Sequence, residues 1–149
     1  MTEIGRRRAS LADRSSYRFW TDERARYSDT DRQGHVNNAV FATFCESGRV
    51  AFLYGNGGLA PPGYGFVIAR LELDFRAELG WGDRVEIGTT LLGLGRSSFT
   101  LGQGLFRGDR CAATAESVMV LMDETTRRAS HLPETLRRRL AELADEAMD

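Results

Sequence analysis

The chain of 149 residues sets 20 basic side chains, all of them arginine, against 21 acids, for a net charge of -1. That balance points away from nucleic acid and acidic membrane surfaces as partners. The absence of lysine excludes Schiff-base and lysine-base chemistry, and leaves arginine or backbone amides to hold any phosphate. A hydrophobic content of 42% suits one soluble domain, and no apolar run approaches the ~20 residues that span a bilayer.

Residues 1–16 are polar and Arg-rich and read as a loose arm ahead of a single domain over 17–149. Arg6, Arg7 and Arg8 precede polar residues rather than the apolar core of a signal peptide, so a cytoplasmic protein is expected. Residues 17–27 predict a first strand, and 28–37 hold the Ser, Asp, Gly and Asn of a turn-rich stretch. From Asn38, Val40, Phe41, Phe44, Ala51 and Phe52 recur at helical spacing, with Asn37 or Asn38 as cap. The helix stops where Gly and Pro cluster in 55–65.

Val67, Ala69, Leu71, Leu73 and Phe75 alternate with polar residues, which predicts a half-buried strand. Residues 84–92, 97–107 and 111–122 follow as strands joined by GLGRS and RGDR turns, and 134–147 as a charged helix. One strand, a long helix, four hairpin-linked strands and a short helix exclude a doubly wound parallel sheet. The expected fold is α+β, a five-stranded antiparallel sheet wrapped on one helix. Its open edges call for a second copy.

The chemistry concentrates between Asp29 and Asn38. Asp29, Asp31, His35, Asn37 and Asn38 fall where a strand leaves for a helix N-terminus, a place of unpaired N–H groups and positive dipole. A carbonyl seated there finds an oxyanion site, and a nearby carboxylate can attack it or activate water. The same residues also read as ordinary turn formers. Cys45 and Cys111 read as small buried hydrophobes, and two Cys with two distant His predict no structural zinc. Trp20 and Trp81 read as core or interface residues.

The stretch RYSDTDRQGHVNNAVFATFCESGR resembles the signature of the 4-hydroxybenzoyl-CoA thioesterase family of hotdog proteins. LELDFRAELGWGDRVEIGTTLLGLGRSSFTL and ATAESVMVLMDETTRRASHLPETLRRRL extend the likeness from about Tyr17 to Leu140. The resemblance implies an acyl-CoA thioesterase without metal or organic cofactor, working as a homodimer or homotetramer. It makes Asp31 the nucleophile or general base, Asp29 a tie within the loop, and the Asn38 backbone amide the oxyanion donor. His35 joins the catalytic set by orienting loop or substrate, and Gly34 and Val36 border the substrate. Arg96, Ser97 and Ser98 match a turn that lies near the coenzyme A tail, with Arg76 a weaker candidate. Glu46, on the helix, is expected to pair with Arg49. A hotdog hydroxyacyl dehydratase using His35, or a non-catalytic acyl-CoA-binding module, are the alternatives.

Overall fold

The computed structural model describes residues 11–55 and 57–145. Its strands are β1 (Phe19–Arg24), β2 (Tyr64–Phe75), β3 (Arg84–Leu94), β4 (Ser98–Arg107) and β5 (Arg110–Asp123). Helix α1 (Asn38–Tyr54) follows β1, and α2 (Glu134–Asp145) follows β5. All pairings are antiparallel, in the order β1-β3-β4-β5-β2. The α+β architecture expected from the element order, an antiparallel five-stranded sheet with one long helix, is therefore the one observed.

Period 2 sorts the strands. On β4, Phe99, Leu101, Gln103 and Leu105 are buried, and Gly102 and Gly104 fall on the alternate face. Helix α1 buries Phe41, Phe44, Cys45, Gly48, Arg49, Phe52 and Leu53, the i, i+3, i+4, i+7 stripe of a core helix. Phe41, Phe44 and Cys45 form one core cluster with Val85, Ile87 and Leu105. Phe52 and Leu53 form another with Phe99, Leu101 and the apolar face of α2.

Gly48 allows the close approach of helix and sheet, since a Cβ there would lie 2.6 Å from both Ile87 Cγ2 and Gln103 Nε2. Gln103 uses the space to donate to the Cys45 carbonyl at 2.9 Å and the Thr89 hydroxyl at 3.1 Å. Arg49 donates to Gln103 Oε1 at 3.5 Å. Its burial holds the guanidinium below its ordinary value.

Three expectations change. The arm assigned to 1–16 is anchored from Leu11 onward; residues 1–10 lie outside the described residues. Leu11 and Tyr17 are buried with Leu92 and Phe106, in the groove that Gly88, Gly102 and Gly104 leave on the outer face of the sheet. The Tyr17 hydroxyl donates to the Leu11 carbonyl at 2.5 Å, and Arg14 stacks over Trp20 at 4.4 Å. Second, β2 is not half-buried within one chain. Val67, Ile68, Leu71 and Phe75 are exposed because β2 is an edge strand paired only with β5. Third, Trp81 is 68% exposed, which rules out a core position. The helix expected to 147 runs to Asp145, and its last two positions fall outside the described residues.

Candidate active site

Local hydrogen bonding fixes the loop between β1 and α1. A single 3-10 turn, Tyr27–Asp29, is closed by Asp29, whose carboxylate accepts from the Arg26 amide at 2.8 Å and its guanidinium at 2.9 Å. The Arg26 contact holds the buried Asp29 carboxyl below the usual carboxylate range. Asp29 is therefore a tie within the loop, as expected of it.

Asp31 sits at the corner of a small hairpin. Its N–H donates to the His35 carbonyl at 2.7 Å, and its own carbonyl accepts from Gly34 at 3.0 Å. Gly34 takes φ +83°, the left-handed conformation that glycine adopts without strain. The hairpin is sewn to the β2–β3 connection by Val36 N–H to the Leu79 carbonyl at 2.7 Å.

This sewing orients the candidate groups. Asp31 Oδ1 accepts from Gln33 N–H at 2.9 Å and His35 N–H at 3.2 Å. Oδ2 has no partner among the described residues. Asn37 caps α1, its side chain accepting from Ala39 N–H at 2.9 Å. The Asn38 N–H, at the first helical position, donates to nothing among the described residues and keeps the positive end of the helix open. Asp31, His35, Val36 and Asn38 line one cleft of about 400 Å³ with Phe41 and Phe75. The wall of that cleft carries both a carboxylate and an unpaired amide, the two elements acyl transfer requires.

His35 bridges away from this pair. Its Nε2 meets Glu78 Oε2 at 3.1 Å, a partner 43 residues distant that no local pattern signals. Gly34 shapes the hairpin without appearing in the cleft wall. Arg96, Ser97 and Ser98 lie elsewhere. Their turn opens β4, whose far end, Arg107, pairs with Arg110 beside the site. Nine strand steps separate the ends, roughly 30 Å, so one chain does not bring them to Asp31.

Glu46 and Arg49 form no ion pair among the described residues. Arg49 turns inward to Gln103, and Glu46 stays exposed along a groove between α1 and β2. Cys45 is fully buried, which pushes its thiol up to about 12 and keeps it from acting as a thiolate. No three His, Cys, Asp or Glu side chains among the described residues gather as a metal site, and no helix among them is long and apolar enough to cross a membrane.

One long helix cradled by a five-stranded antiparallel sheet, with a carboxylate loop at the helix start, defines a protein of the hotdog class. Within that class the chain belongs to the thioesterase-like superfamily, whose family model matches residues 25–140. A 1,4-dihydroxy-2-naphthoyl-CoA hydrolase of Synechococcus elongatus is 29% identical over 131 residues, spanning 80% of this chain and 93% of that enzyme. A thioesterase of Thermus thermophilus, solved with coenzyme A and zinc, is 30% identical at a TM-score of 0.77, over 87% of this chain and 96% of that one. A Pseudomonas aeruginosa protein superposes at a TM-score of 0.80 with 29% identity, covering 88% of this chain and 94% of that one.

Proposed function

We propose that the chain hydrolyses an acyl-CoA thioester to a free acid and coenzyme A. Asp31 serves as nucleophile or general base, and the Asn38 amide as oxyanion donor. The observation that carries this reading is the cleft shared by the unpartnered Asp31 Oδ2 and the unpaired Asn38 N–H. The coenzyme A ester hydrolysed by the Synechococcus relative and the coenzyme A bound to the Thermus thioesterase support the choice of thioester. Purified protein offered short, long and aromatic acyl-CoAs, with free thiol followed, should turn over at least one. Tight binding without thiol release from any of them would replace hydrolysis with the binding-module reading.

The working unit in this proposal is a dimer joined along β2. The outer edge of β2 has no partner strand among the described residues, and Ile68 and Leu71 expose apolar surface along the α1 groove. Pairing two such edges about a two-fold axis is antiparallel, and turns the second sheet end for end. That operation carries the second copy's GRSS turn to the Asp31 end, which keeps Arg96, Ser97 and Ser98 as coenzyme A contacts across the seam. Ile68→Asp, placing a charge at the seam, should lower the light-scattering mass from a dimer or larger to a single chain and lower activity with it. A single-chain mass for the wild type would overturn the assembly.

A further inference from the structure

Arg49 is a buried cation without a counter-charge. It is 6% exposed, and its one hydrogen bond among the described residues is the 3.5 Å contact to Gln103 Oε1. A guanidinium is costly to take out of water unless an acid meets it. The same side chain lines two grooves between α1 and β2, and Glu46 lines both with it. Glu46 is exposed and has no partner among the described residues. An acid and a base on one helix are thus each left unmatched by the chain that carries them. Arg70, on the opposite wall, is already engaged by Glu72 at 2.6 Å.

The surface around the pair is apolar. Val50 and Tyr54 on α1 and Ile68 on β2 are exposed along the second groove. The first groove, about 380 Å³, is walled on its β2 side by Ile68, Ala69, Arg70 and Leu71. Since β2 spans Tyr64–Phe75, its midpoint falls between Ala69 and Arg70. Two β2 edges that overlap along their whole length put that midpoint on the two-fold axis, and the groove beside it. Across such an axis residue i meets j and j meets i. One acid and one base next to the axis are therefore satisfied twice by a single operation.

We propose that at the β2 seam Glu46 of each copy pairs with Arg49 of the partner subunit, setting two acids and two bases around the two-fold axis. The inference rests on the dimer of the proposed function and adds what fixes its register. Backbone pairing along an edge specifies register weakly. A slipped register would bury both acids and both bases unpaired, which penalises every alignment but one. Register in turn decides where the second copy's GRSS turn falls against Asp31, so Glu46 and Arg49 are positioning residues for the site.

The test measures the dimer Kd by sedimentation for wild type, Glu46→Gln, Arg49→Gln and an equal mixture of the two variants, with thermal melts to confirm folding. Each variant alone should raise Kd about tenfold or more. The mixture should dimerise more tightly than either variant, because Glu46 of one chain still meets Arg49 of the other. A pair formed within one chain gives no such gain, so a mixture no tighter than its components would overturn the proposal. Wild-type Kd in either variant would overturn it too. Should Arg49→Gln not fold, Glu46→Arg decides alone, since its site is exposed on the helix: a single-chain mass supports the pair and a wild-type dimer mass overturns it. A wild type of single-chain mass fails the dimer itself, and the pair with it. A wild-type dimer that both variants match fails the pair alone.

Discussion

Asp31→Asn is expected to lower kcat on the preferred acyl-CoA by about a thousandfold, roughly 4 kcal/mol of transition-state stabilisation. Folding should be preserved. Asparagine retains the Oδ1 that accepts from Gln33 and His35, so the hairpin keeps its bonds while the carboxylate charge is lost. Full activity in this variant would sink the proposed mechanism. Labelled water then separates the two roles of Asp31. As a nucleophile, its oxygen bonds to the acyl carbon, the C–S bond breaks, and coenzyme A leaves as a thiolate that takes a proton from water. Water opening the resulting anhydride at the Asp31 carbonyl leaves heavy oxygen on the protein. As a general base, Asp31 takes a proton from water that attacks the acyl carbon; the C–S bond then breaks, the coenzyme A thiolate takes that proton, and the label goes to the product acid alone.

The contrast between Asp29 and Asp31 shows how one carboxylate is structural and its neighbour available. Both oxygens of Asp29 are consumed by Arg26, and the side chain is buried. Asp31 spends one oxygen on two backbone amides and leaves the other unpaired. An arginine on Asp29 offsets the burial of its charge; a pair of amides on one oxygen of Asp31 fixes its direction without neutralising it.

Much of this was legible in the sequence because it depends on local rules. The apolar enrichment of β3 to β5, the helical stripe from Val40 to Phe52 and a cap at Asn37 or Asn38 are each encoded within a few residues. What was not legible depends on contacts distant in the chain. Alternation in β2 identifies an apolar face but not what covers it, and so predicted burial for Val67, Leu71 and Phe75, which the chain leaves exposed. Leu11 looked like part of a polar arm because the groove that receives it is made by glycines 77 to 93 positions later. Helical spacing paired Glu46 with Arg49, but Gln103, on β4, draws Arg49 inward. The RGDR turn likewise read as a hairpin tip, since nothing local places Arg107 and Arg110 in the same cleft as Arg76. In the candidate site, Asp31 and Asn38 could be named from sequence because only six residues lie between them; the His35–Glu78 contact could not.

The Asn38 amide admits an equally direct test, because the first helical position tolerates the one residue without an N–H. Proline is favoured at that position, where its fixed φ is already helical. The preceding residue, Asn37, has φ -62° and ψ 141°, in the extended region that proline requires before it. Its capping bond to Ala39 N–H does not involve the amide being removed. Because the Asn38 N–H bonds to nothing among the described residues, Asn38→Pro deletes no hydrogen bond of the fold, and the melting temperature should shift little. The kinetic cost should be large. Loss of one oxyanion donor is expected to lower kcat about a hundredfold or more, roughly 3 kcal/mol. Asn38→Ala keeps the amide and removes only the side chain, so its loss should be far smaller. Thermal melts and steady-state kinetics on the two variants decide the matter. A proline variant as active as the alanine variant would remove the backbone amide from the mechanism. Equal large losses in both would move the role to the side chain. A large kinetic loss confined to proline, with the melt unchanged, is the result that only a backbone donor produces.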